Sequence, residues 1–133
     1  MKLRVFVDGA SRGNPGPSSV GVVIQDDLGR TVREHCRRIG QTTNNVAEYA
    51  ALLDALEIGR ELGGTEILIH SDSQLLVRQL SGAYRVKNPR LQGYFSRIQL
   101  LLREFAAAEF VHVPREQNKR ADKLANAALD AEE

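Results

Sequence analysis

"TNNVAEYAALLDALEIGRELGG", residues 43–64, is where the hydrophobic period of this chain changes, and with it the class of fold. Val46, Tyr49, Ala50, Leu53, Leu56 and Leu62 recur near the 3.6-residue spacing of a helix, with Asn or Thr to cap its start and Gly63 to end it. The residues before it repeat with period two. Residues 2–7 place Leu3, Val5 and Val7 on one side, "SVGVVIQD" (19–26) is a second β-rich run, and "RTVREHCRRIG" (30–40) is a third. Asp26, Asp27, Leu28 and Gly29 read as a hairpin loop between the last two. The charged third run suits an edge strand.

Beyond Gly64 the period alternates again. "TEILIHSDS" (65–73) reads as a strand, followed by a short helix through Leu80. "KNPRLQGYFSRIQLLLREFAAA" opens a helix with Asn88 as cap and Pro89 in its first position. "AEFVHVP" (108–114) is a fifth strand and "NKRADKLANAALDAEE" a last helix. The order β-β-β-α-β-α-α-β-α predicts an α/β fold. It has a five-stranded mixed sheet, with the first three strands antiparallel, flanked by about four helices. No repeat, linker or low-complexity stretch interrupts it, so residues 1–133 read as a single domain.

The 133 residues are 42% hydrophobic and 26% charged, an ordinary globular composition. A lone Cys36 leaves no disulfide framework and no cysteine metal site. No apolar run approaches the ~20 residues of a membrane span, and the N-terminal apolar stretch is short for a secretory signal, so a cytoplasmic protein with no membrane partner is expected. Net charge is +1, yet "CRRIG", "AYRVKNPR" and "PREQNKRADK" hold nine of the 18 Lys and Arg. Local patches such as these decide nucleic-acid binding more than the sum does.

Four acids occupy matching places. Asp8 closes the first strand, Asp72 closes the fourth, Glu48 sits in the first turns of the long helix, and Asp122 near the start of the last. If the strands of Asp8 and Asp72 are parallel neighbours, their ends lie ~5 Å apart, where open α/β sheets bind ligands. Clustered carboxylates raise one another's pKa unless a cation relieves them. Mg²⁺, which takes oxygen ligands and keeps waters, suits such a site, and a pair of ions activates water and stabilises a leaving oxygen in phosphodiester cleavage.

The four stretches "VDGASRGNPGP", "TNNVAEYAALLDAL", "IHSDSQLLVRQL" and "NKRADKLAN", in that order, resemble ribonuclease H of type 1, a likeness running from residue 4 to about residue 128. The resemblance implies an RNase H-like fold in a compact form. It also implies an endonuclease that cuts the RNA strand of RNA/DNA hybrids, leaving 5′-phosphate and 3′-hydroxyl ends. The metal ligands it implies are Asp8, Glu48, Asp72 and Asp122, holding two Mg²⁺ with substrate, or Mn²⁺ in their place. A hybrid- or double-stranded-RNA-binding module without catalysis is the alternative, and a monomer is expected. By the same resemblance Asn14, Asn44, Asn45 and Gln74 match positions that touch hybrid bases or 2′-hydroxyls, and Thr43 one that holds a DNA phosphate. Read from the residues alone, Asn44 and Asn45 are equally helix caps, and "GNPGP" is a turn in which Pro15 fixes φ and Gly16 takes φ > 0. Asn118 either places water beside the metals, as the resemblance suggests, or caps the last helix.

The chain departs from better-known members in two ways. Many members of that family carry a histidine in the loop before the last acid, whereas "VPREQNK" here has none, and Arg115 is the nearest candidate to take its catalytic place. Guanidinium holds its proton at neutral pH, so Arg115 attracts phosphate rather than shuttling a proton. "SGAYRVKNP" is also too short for a basic protrusion and there is no Trp, leaving Arg85, Lys87, Arg90 and Tyr84 or Tyr94 to grip substrate. His35, His70 and His112 read as structural strand residues, His70 packed or hydrogen-bonded on the Asp72 side.

Overall fold

Alternation of apolar residues carries β1 (Lys2–Ser11) through the middle of a five-stranded sheet. The computed structural model describes residues 1–131. β2 (Gly16–Gln25) pairs antiparallel with β1, and β3 (Thr31–Thr42) pairs antiparallel with β2. β4 (Glu66–Ser71) and β5 (Ala107–His112) join parallel, giving the order β3-β2-β1-β4-β5. The expected mixed sheet and antiparallel leading strands are therefore present, with β3 at the edge. The hairpin between β2 and β3 turns on Asp26, whose Oδ1 accepts from the backbone N–H of Leu28 and Arg30, with Gly29 at φ +82°.

Leu3, Val5 and Val7 are fully buried against α1 (Asn44–Glu61). Each such side chain stabilises the fold by about 1.5–3 kcal/mol. α1 is buried almost all round, because the sheet takes one side and α3 (Pro89–Leu102) covers the other. Its cap is Thr43, whose hydroxyl accepts from Val46 N–H; Asn44 and Asn45 are already helical residues, which corrects their reading as caps. Asn88 caps α3 from before Pro89, as expected. α2 (Gln74–Leu80) is short, and α4 (Lys119–Asp130) follows a single 3₁₀ turn at Arg115–Gln117. Among the described residues no helix is long and apolar enough to cross a membrane.

Two features of the leading segments differ from expectation. β1 does not end at Asp8: it continues to Ser11 on the β2 side, where Asp8 pairs with Gly21. What ends near Asp8 is β4, whose last pair is Val7 with Ser71. The turn also uses a different glycine. Gly13 takes positive φ, at +107°, whereas Gly16 is needed because a Cβ there would lie 2.2 Å from the Arg12 carbonyl oxygen.

Edge strand β3 is pinned to α1 through a buried carboxylate. Arg37 donates to both oxygens of Asp54, at 2.6 and 3.0 Å, and His35 Nε2 lies 2.9 Å from the same group. His35 is thus more than an ordinary strand residue. His70 stacks on Phe6, with ring centroids 4.2 Å apart, and its Nδ1 lies 3.0 Å from Val5 O. His112 is exposed rather than packed.

Candidate active site

Because successive residues of a strand face opposite sides, Asp8 and Gly9 look onto different helices. A Cβ on Gly9 would sit 2.3 Å from the Ala47 carbonyl carbon and 2.4 Å from Glu48 N, so only glycine lets α1 lie this close to β1. Gly9 N–H then donates to Glu48 Oε1 at 3.1 Å. On the other face a Cβ on Gly21, the partner of Asp8, would sit 2.1 Å from Ala121 O and 2.7 Å from Ala125 N. That glycine brings in α4 and with it Asp122. Since β4 stops at Ser71, the edge beside Asp8 is open, and Glu48 and Asp8 meet across it.

Asp8, Glu48 and Asp72 each offer a carboxylate oxygen, and these oxygens all lie within 4.8 Å of one another. They line a cleft of about 410 Å³ together with Asn44, Arg115, Asp122 and Asn126. Asp122 stands outside the tight trio. Its Oδ1 is 3.8 Å from Arg115 Nη2, and its carboxyl is one of the groups that push up the pKa of Asp8. Burial is the main cause of that rise, followed by the charges of Glu48 and Asp72. Glu48 is also raised, by burial and then by Asp72, and opposed by the Gly9 hydrogen bond. An oxygen-only set of donors, crowded enough to push up the pKa of Asp8 and Glu48, fits a hard divalent cation.

The remaining expected residues fall in three places. Asn118 is buried, and its side chain does not cap α4. Instead its Nδ2 donates to Val7 O at 2.8 Å and Asp72 Oδ2 at 3.3 Å, taking up a β1 carbonyl where β4 has ended. Its Oδ1 is buried without a partner among the described residues. Asn14 Oδ1 accepts from Asn44 N–H at 3.0 Å, tying the 12–16 turn to the start of α1. Asn14, Asn44 and Asn45 are exposed there, beside Thr43, and Arg90 Nη1 donates to Thr42 Oγ1 at 3.2 Å. Gln74 is exposed at the first position of α2, directly after the Ser73 cap. The sequence did not point to Gly9, Gly21 or Asn126. The only signal for Asn126 is its spacing, one helical turn after Asp122.

The raised acids set a pH dependence with a definite sign. Below about pH 4 both folded and unfolded chains hold these protons, and stability is unaffected. As pH rises, the unfolded Asp8 and Glu48 ionise at their ordinary values while the folded pair does not, so metal-free stability falls. We expect melting in EDTA to be lower at pH 8 than at pH 5, and Asp8→Asn to melt several degrees above the parent at pH 8. Saturating Mg²⁺ narrows that gap, because binding stabilises only the native parent site. A mutant that melts below the parent in EDTA at pH 8 contradicts the crowded site.

The family model described as "Reverse transcriptase-like" matches residues 6–128. Ribonuclease HI of Halobacterium salinarum is 46% identical over 129 residues, covering 97% of this chain and 65% of that protein. Bifunctional protein Rv2228c of Mycobacterium tuberculosis is 42% identical over 132 residues, 98% of this chain but 36% of that one. The chain thus spans about two thirds or less of these curated relatives. The crystal structure of LC11-RNase H1 in complex with an RNA/DNA hybrid superposes with a TM-score of 0.92 at 46% identity, covering 96% of each chain.

Proposed function

Because this chain belongs to the type 1 ribonuclease H family, we propose that it hydrolyses the RNA strand of RNA/DNA hybrids, leaving 5′-phosphate and 3′-hydroxyl ends. The supporting observation is the meeting of Asp8, Glu48 and Asp72 oxygens within 4.8 Å at an open sheet edge. In this reading residues 1–133 act as one catalytic domain, and Asp8, Glu48, Asp72 and Asp122 hold two Mg²⁺ with the substrate, Mn²⁺ serving as a substitute. When bound, the ions activate the attacking water and stabilise the leaving oxygen.

The chain's own groups provide recognition and placement. Amides of Asn14, Asn44, Asn45 and Gln74 both donate and accept, which suits a 2′-hydroxyl and so separates RNA from DNA. Thr43, at the N-terminal end of α1 where the helix dipole favours an anion, receives a DNA phosphate, helped by the positive charge of Arg90 beside Thr42. Asn118 ties Asp72 to β1 through its amide, which supports a role in keeping that carboxylate aimed into the cleft. Arg115 lies at the cleft, exposed and permanently charged, and draws the leaving phosphate.

The test uses end-labelled RNA/DNA, RNA/RNA and DNA/DNA duplexes with Mg²⁺, Mn²⁺ or EDTA. Cleavage confined to the RNA strand of the hybrid and abolished by EDTA is expected; hybrid binding without cleavage in either metal rejects the enzyme. For Arg115→Ala we expect turnover to fall about tenfold, or about 1.4 kcal/mol, with hybrid Kd unchanged. Parental turnover in that mutant removes Arg115 from the mechanism.

A further inference from the structure

Asp122 is the acid whose aim depends most on its own surroundings, since it stands outside the trio that packs together. Asn126, one turn further along α4, donates from Nδ2 to Asp122 O at 3.0 Å and to Asp122 Oδ1 at 3.3 Å. Arg115 Nη2 approaches the same Oδ1 at 3.8 Å. Both donors thus approach one oxygen of Asp122, Oδ1, while the residue lines the cleft.

A carboxamide can turn over and present its oxygen instead, which would repel the carboxylate. Arg12 opposes that. Its Nη2 lies 3.5 Å from Asn126 Oδ1 and 3.4 Å from Asn126 O, anchored by Asp130 Oδ1 at 2.6 Å. A guanidinium facing Oδ1 keeps the amide nitrogen toward Asp122. Arg12 belongs to the turn that carries Asn14, so one side chain links the substrate-reading loop with the aim of an acid in the cleft.

We propose that Asn126, oriented by Arg12, is a positioning residue for Asp122, presenting one carboxylate oxygen to the divalent cation. This rests on the metal-dependent reading above. Partners that orient a ligand in this way typically change metal affinity by 10–100-fold when removed.

The experiment titrates Mn²⁺ alone into the full chain by calorimetry for the parent, Asn126→Leu and Arg12→Met, with melting in EDTA and hybrid KM measured in parallel. We expect Asn126→Leu to bind Mn²⁺ about tenfold more weakly, and the Mg²⁺ concentration for half-maximal rate to rise equally. The EDTA melt should stay at the parental value and KM at saturating metal within about twofold. Arg12→Met shifts metal affinity in the same direction by a smaller factor. Should Asn126→Leu fail to fold, the exposed Arg12→Met decides. Parental metal affinity in the variants, or a defect confined to KM or melting, overturns the proposal. A parent that binds Mn²⁺ but cleaves no hybrid refutes the enzymatic reading alone, and leaves this comparison intact.

Discussion

Asp8→Asn is expected to lower cleavage of the RNA strand by about a thousandfold or more while leaving hybrid binding in place. Of the acids in the cleft it is central: it is buried, it adjoins Glu48 and Asp72, and all three meet through single oxygens within 4.8 Å. An amide keeps the size of the side chain but replaces one oxygen ligand with an NH₂ donor and removes a charge. Loss of that charge weakens cation binding and the transition-state stabilisation that depends on it. A thousandfold loss corresponds to about 4 kcal/mol, within the several kcal/mol that metal-assisted polarisation provides. Single-turnover cleavage of labelled hybrid, with binding followed separately by anisotropy, separates the two effects. A mutant retaining even a tenth of parental turnover at saturating Mg²⁺ would remove Asp8 from the site's centre.

The second large effect arises from residues that carry no chemistry. Gly21→Ala is expected to destabilise the protein by about 3 kcal/mol or more, the upper end of ordinary overpacking, and to cost activity out of proportion to its stability. The new Cβ would meet backbone, Ala121 O at 2.1 Å and Ala125 N at 2.7 Å, and backbone cannot rotate aside as a flexible side chain does. α4 must lift from β2, carrying Asp122 away from Asp8. Denaturant unfolding measures the first effect. Turnover at 10 °C, where the remaining folded fraction is counted, measures the second. Gly9→Ala should act alike through α1 and Glu48, since its Cβ would meet Ala47 and Glu48 backbone at 2.3–2.6 Å. Substitution at Gly93, where a Cβ meets nothing within 4 Å, serves as the control. Parental stability in Gly21→Ala would mean that the close approach of α4 is not required.

Much of this is legible in the amino-acid sequence, because periodicity is a local property. The switch from period two to 3.6 at Thr43 located α1 to within a residue, and the Asn88–Pro89 pair located the start of α3. Candidate acids were legible for another reason: Asp8, Glu48, Asp72 and Asp122 stand in motifs whose order resembles a known family. Capping was less legible. Thr43, Asn44 and Asn45 have similar cap propensities, and the choice of Thr43 depends on where the preceding strand releases the chain. The same holds for Gly13 and Gly16, since composition does not say which glycine bears positive φ and which meets a carbonyl.

The amino-acid pattern specifies the identity and order of the elements, a mixed sheet with its first three strands antiparallel, and which carboxylates are candidates. All follow from patterns spanning a few residues or from motif order. The parallel pairing of β4 with β1 and of β5 with β4 was a condition that the structure meets. That Asp8 lies inside β1 rather than at its end is a matter of pairing with β2. The site opens there because β4 stops one residue short, and strand ends are set by pairing, not by the strand's own residues. Only the tertiary structure showed Asn118 to be a strut between β1 and Asp72, and Asn126 to be a donor to Asp122. Side-chain hydrogen bonds between distant segments depend on distances of a few tenths of an ångström, which require the close backbone packing of helices on the sheet that Gly9 and Gly21 permit.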